Sequence, residues 1–243
     1  MTNAAVITGA SGSLGLAIAA RLGQLLDAVL LVDLSEDALT SAEARINSSG
    51  SQAAISHVTC DITAGEAPEL VSAALHSLGW SPHVLVNNAG INRDARATKM
   101  TEDQFRAVVR VDLVAPARLA IELRPLMPPG SSIINIASRA ALGNFGQTNY
   151  VAAKSGLIAL TRSLALQWSP DVRVNAVAPG LVETPMTAGM PEKVLGPMID
   201  RIPAGRMAKP EEIAEVVAFY ASPAASYVTG QLILACGGRS LAP

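Results

Sequence analysis

Short apolar runs alternate with longer amphipathic segments along the whole chain. The runs begin near residues 4, 28, 53, 83, 132, 172 and 231, and most of them precede a stretch of helical length. Runs of this kind are typical of strands that are buried on both faces, and strands that alternate with helices form parallel sheets. The pattern predicts an α/β fold with one domain over residues 1–243: a doubly wound, seven-stranded parallel sheet with helices on both faces.

A glycine-rich turn follows the first run. The run Ala4–Thr8 leads into Gly9-Ala-Ser-Gly-Ser-Leu-Gly15, and a helical pattern then extends from Leu14 to about Leu26. Glycines let a backbone turn sharply and approach a pyrophosphate, and a helix N-terminus supplies free N–H groups with partial positive charge. Alone, the motif also fits a flexible turn. Between a strand and a helix it predicts a dinucleotide site.

An acidic residue, Asp33, ends the second run, Ala28–Val32. A carboxylate there suits the ribose hydroxyls of NAD and repels the 2′-phosphate of NADP. No Arg or Lys follows before Arg45. We therefore expect NAD(H) to be favoured, with NADP(H) as the alternative. Asp33 could also cap the helix that begins near Glu36, and the two roles can coexist.

A tyrosine and a lysine, Tyr150 and Lys154, are spaced to share one helix face about one turn apart. An ammonium group at that distance favours the phenolate form of a tyrosine. Ser138, just after the run Ile133–Ala137, could hold a carbonyl or alcohol oxygen while Tyr150 exchanges a proton with it. This spacing is common by chance, so its weight comes from the accompanying motifs.

In this order, the motifs resemble the short-chain dehydrogenase/reductase family over essentially the whole chain. Asp61 follows the third run, Asn87–Gly90 follows the fourth, and Pro179-Gly180 closes the sixth. The resemblance implies a Rossmann fold, a catalytic set of Ser138, Tyr150 and Lys154, and a nicotinamide cofactor. It also implies that Asp61 borders the adenine and that Thr184 reaches the nicotinamide amide. The cofactor-binding residues it implies are Gly9, Ser11, Gly12, Ser13, Leu14, Gly15, Asp33, Leu34, Asp61, Ile62, Asn88, Ala89, Gly90, Tyr150, Lys154, Pro179, Gly180, Val182 and Thr184.

Three positions depart from the family pattern. Ser13 stands where the family has its second glycine, and its Cβ limits the approach of the backbone to a phosphate. Asp112 stands where the family usually places an Asn that helps to hold a water joining Lys154 to solvent. If only the backbone carbonyl matters, Asp serves as well; if the side chain lies near Lys154, its charge weakens the influence of Lys154 on Tyr150. The interval from Ser138 to Tyr150 is one residue short.

The stretch 182–209 interrupts the strand–helix alternation and is rich in Gly, Pro and Met. It follows the carboxyl end of a predicted strand, where ligands of doubly wound sheets bind. We expect a mobile lid over the substrate; an ordered surface helix is the alternative.

Composition excludes several other classes of protein. No apolar run approaches the length of a membrane span, and the N-terminus lacks the regions of a signal peptide. Two cysteines give no disulfide framework, three scattered histidines give no metal-ligand spacing, and a net charge of −2 without a basic cluster argues against nucleic acid. We expect a cytoplasmic enzyme with no metal. Apolar helices near 101–123 and 148–168, with the C-terminal strand, suit the homotetramer usual in the family.

The substrate is the least determined feature. Segments 88–94 and 203–213 look most like 3-oxoacyl-thioester reductases, which implies a thioester substrate. Those acting on acyl carrier protein need a basic surface and mostly prefer NADPH, whereas segment 125–130 is uncharged and Asp33 favours NAD. A free alcohol, a sugar or an acyl-CoA therefore competes. Arg93, Arg96 and Arg139 could contact an anionic group. A non-catalytic NAD(H)-binding regulator is a third alternative.

Overall fold

All strands of the described chain form one parallel sheet. In this computed structural model residues 1–48 and 50–241 are described. The strands are β1 Thr2–Thr8, β2 Ala28–Asp33, β3 Ala54–Thr59, β4 Trp80–Asn87, β5 Ser131–Ile136, β6 Val172–Pro179 and β7 Leu232–Ala235. Their order is β3-β2-β1-β4-β5-β6-β7, and every neighbouring pair is parallel. The predicted fold class is confirmed.

Helices cover both faces of this sheet. They are α1 Ser13–Leu22, α2 Glu36–Ser48, α3 Ala67–Leu78, α4 Glu102–Val109, α5 Ala115–Leu123, α6 Thr148–Trp168, α7 Pro185–Ala188, α8 Glu192–Ile199 and α9 Pro210–Ala221. One buried cluster packs α1, α2 and α9 on one face, and a second packs α3, α5 and α6 on the other. No helix of the described residues is long and apolar enough to span a membrane.

Two helices differ from the sequence expectation. The first ends at Leu22 rather than near Leu26, because the N–H groups of Gln24 and Leu25 bond to carbonyls three residues back instead of four, and the chain then turns towards β2. The expected single helix over 101–123 is divided: a π-helical turn, Arg110–Val114, lies between α4 and α5. Thr101 is the N-cap of α4 and forms a capping box with Gln104. The π turn adds one residue per turn locally and so re-aims the side chains within it.

The order of strands brings the glycine turn and the segment after β4 together at the carboxyl end of the sheet. Strands β1 and β4 are neighbours although β2 and β3 separate them in sequence, so the chain crosses over between them. In doubly wound sheets this reversal opens a crevice at the carboxyl ends of the strands. The glycine turn follows β1 and segment 88–91 follows β4, so both border that crevice.

The 182–209 insertion is closed at its base. Glu183 N–H donates to the Ala208 carbonyl at 2.9 Å, and Ala208 N–H donates to the Leu181 carbonyl at 2.9 Å. Helices α7 and α8 lie between these points. Arg206 forms a two-point ion pair with Glu212, at 2.6 and 2.7 Å, which joins the end of the insertion to the first turn of α9 at the surface. The alternative of an ordered segment with helices fits this arrangement; lid motion stays a prediction.

Candidate active site

Two glycines of the first turn are sterically required. Gly9 has a φ of +64°, and a Cβ on it would lie 2.8 Å from the Cα of Ala89. A Cβ on Gly15 would overlap the Gly9 carbonyl oxygen and lie 2.8 Å from the Cα of Ala10. Gly12 differs, because its nearest contact would be an ordinary 3.5 Å. The turn therefore depends on Gly9 and Gly15, and Gly12 leaves an open backbone at the surface.

The N-terminus of α1 is free to bind an anion. Gly12 is its N-cap and supplies no side-chain hydrogen bond, and the first turn holds no acidic residue. The amide groups at the start of a helix have no intrahelical acceptors and carry partial positive charge. Ser13 is the first helical residue, so its N–H belongs to this group of free donors. The site fits a pyrophosphate although Ser13 replaces a glycine.

Thr8 and Asn88 lock the turn onto β4. The buried Thr8 hydroxyl oxygen accepts hydrogen bonds from the N–H groups of Asn88 and Ala89, both at 3.1 Å. The Asn88 side chain donates back to the carbonyls of Thr8 and Gly9, both at 3.0 Å. Segments from strands that are distant in sequence are thereby held in one rigid arrangement.

Asp33 is oriented by hydrogen bonds from the glycine turn. Its Oδ2 accepts from the backbone N–H of Ser11 at 3.0 Å and from the Ser11 hydroxyl at 2.5 Å, while its Oδ1 accepts from Leu34 N–H at 2.8 Å. The interpretation of Asp33 as the cap of α2 is wrong. That role belongs to Ser35, whose hydroxyl oxygen accepts from Ala38 N–H at 3.3 Å. Asp33 points to the turn because Ser11 offers it two donors.

One cavity of about 1120 Å³ joins most of the predicted cofactor-binding residues. Those that line it are Gly9, Ser11, Gly12, Ser13, Leu14, Gly15, Asp33, Leu34, Asp61, Ile62, Asn88, Ala89, Gly90 and Thr184. Sequence reasoning missed further lining residues, chiefly Val111, Pro185 and side chains of α1 and α9. Small residues along α1, such as Ala17 and Ala20, were the available signal, because they leave room beside the helix. Ser138, Tyr150, Lys154, Asp112, Pro179, Gly180 and Val182 are outside its lining.

The Asp61 and Thr184 side chains have local partners as well. Asp61 Oδ1 accepts from the N–H and hydroxyl of Thr63, both at 2.8 Å, which fixes the turn after β3. Thr184 is the N-cap of α7, and its hydroxyl oxygen accepts from Thr187 N–H at 3.3 Å. Each of these two residues is therefore held in place by its own turn while it lines the cavity.

Pro179 and Gly180, at the end of β6, pack closely against the end of β7. The N–H of Gly180 donates to the Ala235 carbonyl at 2.9 Å. A Cβ on Gly180 would lie 2.8 Å from the Cα of Cys236, so a larger residue would separate the two strand ends. Val182 is buried and pairs with Ala208 at the base of the insertion. These residues set the path by which the chain reaches Thr184.

Tyr150 and Lys154 lie together on α6. The Lys154 Nζ is 5.5 Å from the centre of the Tyr150 ring and donates to the Ile136 carbonyl at 2.9 Å. Lys154 is buried, with 3% of its surface exposed, whereas Tyr150 is half-buried. The hydroxyl oxygen of Ser138 accepts from Ala140 N–H at 3.1 Å, which leaves its own proton available to a ligand oxygen.

Asp112 forms a buried ion pair with Lys154. Its Oδ2 lies 3.2 Å from Lys154 Nζ, and its Oδ1 accepts from Ile91 N–H at 2.9 Å. Asp112 has no exposed surface. Burial raises the pKa of its carboxyl group, and the Lys154 charge opposes that rise. Of the two sequence alternatives, the side chain near Lys154 is the one the structure contains.

Gly90 connects this pair with the cavity. A Cβ on Gly90 would lie 2.9 Å from Asp112 Oδ2 and 3.4 Å from Lys154 Nζ. Gly90 and Ile91 both line the cavity. The ion pair is therefore separated from the cavity by one glycine backbone, which brings the α6 residues to the crevice.

A chain of buried side chains that sequence reasoning missed fixes α6 against the sheet. Asn87 Nδ2 donates to Asn135 Oδ1, and Asn135 Nδ2 donates to the Thr161 hydroxyl oxygen, each at 2.8 Å. Asn149, fully buried at the start of α6, donates to the carbonyls of Arg93 at 2.9 Å and Gln104 at 3.2 Å. Polar residues within apolar runs were the available signal, since buried amides need partners.

The loop between Ser138 and Tyr150, which is one residue shorter than usual in the family, is folded into a short helix and two glycine turns. It begins with a short 3₁₀ helix, Arg139–Leu142, and Gly143 and Gly146 adopt φ values of +111° and +80°. Ala95 N–H donates to the Gly146 carbonyl at 2.9 Å, so the loops after β4 and β5 are joined.

The three arginines that we predicted to contact an anion lie on these joined loops, and each has different contacts. Arg96 lies over the Phe145 ring at 5.9 Å, and Arg93 donates to the Asn92 carbonyl at 2.8 Å. The Nε atom of Arg139 is buried without a hydrogen-bond partner among the described residues. Phe145 and Leu142 on the same loop are largely exposed. The rim therefore combines cationic and apolar groups.

Comparison with known proteins agrees with this geometry. A family model described as enoyl-(acyl carrier protein) reductase matches residues 9–240. A 3-oxoacyl-[acyl-carrier-protein] reductase of Thermotoga maritima is 39% identical over 238 residues, and one of Pseudomonas aeruginosa is 38% identical over 238 residues; each match covers 96% of both chains.

A solved structure is similar over almost the whole length. It is a short-chain dehydrogenase/reductase from Brucella melitensis, described as a glucose/ribitol dehydrogenase. It superposes with a TM-score of 0.90 at 32% identity and covers 98% of this chain and 96% of its own. With the seven-stranded sheet, the glycine turn and the Tyr150–Lys154 helix, these matches identify the chain as a member of the short-chain dehydrogenase/reductase family and as a nicotinamide-dependent oxidoreductase.

Proposed function

We propose that this enzyme reduces the ketone of a 3-oxoacyl thioester to a secondary alcohol, with NADH as the favoured reductant. The proposal rests mainly on one observation: two groups of residues lie on either side of Gly90. On one side lies the cavity with its free helix N-terminus, and on the other lie Lys154 and, on the same helix, Tyr150.

The packing around the glycine turn fits a dinucleotide. Gly9 and Gly15 leave space that a Cβ would fill, and the first turn of α1 has free N–H groups beside it. These would hold a pyrophosphate, Asp33 a ribose, and Asp61 with Ile62 the border of an adenine. When bound, the nicotinamide supplies or accepts the hydride.

The reaction requires three functions from side chains of the protein. The Ser138 hydroxyl, whose proton is free, donates a hydrogen bond to the substrate oxygen. The Tyr150 hydroxyl gives that oxygen a proton in reduction and takes it back in oxidation. The Lys154 ammonium, 5.5 Å from the Tyr150 ring, stabilises negative charge on the phenol oxygen and holds the ribose.

NAD(H) is supported by the charges around Asp33. Its carboxylate faces the glycine turn, and a 2′-phosphate bound there would meet a like charge. Two arginines also line the cavity, and neither stands beside Asp33 in the chain. Arg21 is paired with Glu215 at 2.7 Å, and Arg45 lies near the far end of α2, about 14 Å along the helix from its start. NADP(H) is the alternative.

A thioester substrate is supported by the curated relatives and by the loop rim. Both relatives named above carry 3-oxoacyl-[acyl-carrier-protein] reductase in their names. The rim arginines, Arg93, Arg96 and Arg139, suit the anionic part of a carrier or coenzyme, and Phe145 suits an acyl chain. The second candidate is a dehydrogenase of a free alcohol or sugar, which the name of the Brucella melitensis protein favours. A non-catalytic NAD(H)-binding regulator is the third and is disfavoured by the arrangement of Tyr150 and Lys154.

The test is nicotinamide absorbance during reduction of acetoacetyl-CoA, with NADH and NADPH in parallel. We expect turnover with NADH and slower turnover with NADPH. Crotonyl-CoA is the matched control, because it carries a C=C bond where the 3-oxo thioester has a ketone, and we expect no turnover. Turnover of sugar alcohols with NAD but none of acetoacetyl-CoA would favour the second candidate. Binding of NADH without turnover of any of these would favour the regulator.

We also propose a cytoplasmic homotetramer. Large apolar side chains are exposed along the segment from α4 to α5 and on α6, namely Phe105, Val114, Ile121 and Leu166, and they suit contact with a second copy of the chain. The final strand β7 is an edge strand that could pair with a second copy. The cysteines Cys60 and Cys236 are free, in keeping with a reducing compartment. Sedimentation equilibrium measures the assembly directly.

A further inference from the structure

A buried amide, that of Asn149, joins three parts of the protein directly before Tyr150. Asn149 has no exposed surface. Its Nδ2 donates to the carbonyl of Arg93, in the loop after β4, at 2.9 Å, and to the carbonyl of Gln104, in α4, at 3.2 Å. Its Oδ1 accepts from the backbone N–H of Tyr150 at 2.8 Å. An asparagine amide has two N–H donors and a carbonyl acceptor, so every part of this amide is used.

The bond to Tyr150 takes the place of a side-chain cap at the start of α6. The helix begins at Thr148, and its N-cap residue, Gln147, makes no side-chain hydrogen bond to the helix. The first N–H groups of a helix have no partners within the helix. The N–H of Tyr150 is one of these groups, and it bonds to Asn149. The backbone of Tyr150 is therefore held by a side chain that is itself held by two other elements.

Four consecutive residues of the loop after β4 contact the segment that leads into Tyr150. The pairs are Arg93 with Asn149, Asp94 with Gln147, Ala95 with Gly146, and Arg96 with Phe145. The first three are hydrogen bonds of 2.9 Å, and the fourth places a guanidinium over a ring. The Asp94–Gln147 bond is exposed and the Phe145 ring is 85% exposed, whereas Asn149 is fully buried. Water competes little with a buried hydrogen bond, so the Asn149 pair should hold the two loops together most firmly.

The start of α6 is where small displacements matter for the proposed reaction. Proton transfer requires the Tyr150 hydroxyl to lie within hydrogen-bond reach of the substrate oxygen. A displacement of about 1 Å can cost about a hundredfold in rate. Further along α6, the Thr161 hydroxyl accepts from Asn135 at 2.8 Å and fixes the helix to β5. Asn149 supplies the corresponding buried bonds in the first turn, where Tyr150 lies.

We propose that Asn149 is a positioning residue, whose amide sets the place of Tyr150 relative to the loop after β4 and thereby to the substrate. The inference rests on the proposed function, because it takes Tyr150 as the proton donor. The competing account is that Asn149 contributes to stability alone. The two accounts differ in what they expect of the folded enzyme once the amide has been removed.

The test compares Asn149→Ala with a matched control, Asn175→Ala. Asn175 is also fully buried, its Nδ2 donates to the Val228 carbonyl at 2.8 Å, and its Oδ1 accepts from Gln231 N–H at 2.9 Å. It lies on β6, and these partners belong to the segment that leads into β7. Both variants lose a buried amide with the same kinds of bond, so both should unfold at lower urea concentrations than the wild type.

We expect kcat for acetoacetyl-CoA, expressed per folded protein, to fall about 10- to 100-fold in Asn149→Ala. The dissociation constant of NADH should stay within about twofold of the wild-type value, because the lost bonds do not involve the cavity lining. In Asn175→Ala, kcat should stay within about twofold of wild type. Asn149→Ser, whose hydroxyl can keep one of the bonds, takes the place of the alanine variant if that variant does not fold by circular dichroism.

Hydrogen–deuterium exchange of the cofactor-free protein gives a second readout, which needs no substrate. The amide of Tyr150 is bonded to the Asn149 side chain, so peptides that contain Tyr150 should exchange faster in Asn149→Ala. Peptides from residues 155–166 should keep the wild-type rate, because Thr161 still anchors that part of α6. Asn175→Ala should leave both groups of peptides unchanged.

Together the two readouts separate failure of this inference from failure of the proposed function. If acetoacetyl-CoA is reduced and both alanine variants have the same kcat per folded protein, Asn149 is structural and the inference is overturned. If no ketone is reduced but the exchange at Tyr150 rises in Asn149→Ala alone, Asn149 positions Tyr150 and the assigned reaction fails. Unchanged exchange at Tyr150 in the folded variant overturns the inference whatever the substrate.

Discussion

Ser11 donates two hydrogen bonds to the same oxygen of Asp33, one from its backbone N–H at 3.0 Å and one from its hydroxyl at 2.5 Å. With the bond from Leu34 N–H, three of the roughly four acceptor positions of the carboxylate are used. The glycine turn therefore fixes the orientation of Asp33, and one acceptor position is left for a ribose hydroxyl.

Replacing Asp33 by Asn should weaken discrimination between the two cofactors. The substitution removes the charge that repels a 2′-phosphate and keeps the size of the side chain. We expect the ratio of the NADPH to NADH dissociation constants to fall by about tenfold or more, which corresponds to about 1.4 kcal/mol. Quenching of intrinsic fluorescence measures both constants. Asp37→Asn, an exposed change four residues further on, is the control, and an equal fall in that variant would contradict the role of Asp33.

Alanine at Gly15 and at Gly12 should have opposite consequences. At Gly15 a methyl group would overlap the Gly9 carbonyl, and we expect a loss of about 3 kcal/mol in the free energy of unfolding. At Gly12 the nearest contact is 3.5 Å and the backbone is extended, so alanine should be neutral or stabilise by up to about 1 kcal/mol. Urea unfolding of both variants decides the matter. Equal destabilisation would mean that the turn is not packed as described.

Tyr150→Phe should retain cofactor binding and lose nearly all turnover. In the proposed mechanism the phenol hydroxyl donates the proton, and removing a positioned acid or base costs about 10² to 10⁴ in rate. Progress curves with acetoacetyl-CoA give the rate, and NADH fluorescence gives the binding constant. Tyr227→Phe, at a fully exposed position, is the control. Substantial activity in Tyr150→Phe would refute the assigned role.

A histidine clamp between α2 and β3 should make stability depend on pH. His57 Nδ1 lies 2.6 Å from Glu43 and Nε2 lies 2.9 Å from Glu36. The hydrogen bond to Glu36 raises the pKa of His57 above its ordinary 6.5, aided by Glu43 and opposed by burial. Hydrogen bonds from Thr59 and His57 lower the pKa of Glu36 below its ordinary 4.5.

The directions of these two pKa shifts define the pH range in which the interactions of His57 stabilise the fold. The His57 contribution is complete below about pH 6.5 and is lost as pH rises through the raised pKa. The Glu36 contribution is present above about pH 4.5 and is lost as pH falls through the lowered pKa. The stability difference between wild type and His57→Asn should therefore be largest between these values and shrink towards pH 9. Urea unfolding at several pH values measures it, with the exposed His76→Asn as control. A difference that grows with pH would contradict the clamp.

The 182–209 segment should become resistant to proteolysis when cofactor and acetoacetyl-CoA bind. Its ends are paired at Leu181–Glu183 and Ala208, and Ala204 N–H donates to the Gly237 carbonyl at 3.0 Å, so the motion that we predict concerns α7 and α8, which lie between these attachments. Limited proteolysis followed by mass spectrometry locates the cuts. Cutting within the segment that is equally fast with and without ligands would favour the fixed alternative.

Much of the fold and the order of the site residues could be predicted from sequence. Buried parallel strands need continuous apolar runs, and the glycine turn with Gly9 and Gly15 has a recognisable spacing between a strand and a helix. The rest depends on contacts across the sheet. Nothing local to Asp33 indicates that Ser11 holds it, and nothing local to Asp112 indicates a π turn that aims it at Lys154.

The paired base of the 182–209 insertion has an evolutionary consequence. Glu183 and Ala208 are hydrogen-bonded at that base, Arg206 is paired with Glu212, and Ala204 N–H donates to the Gly237 carbonyl at 3.0 Å, so the segment is attached to the rest of the protein on both sides of α8. We expect that α8, which lies between these attachments, can be exchanged for the corresponding part of a relative with different substrates while Thr184 and Pro185, which line the cavity, are retained. We therefore expect new substrate preferences to evolve through changes in α8 without a change of fold.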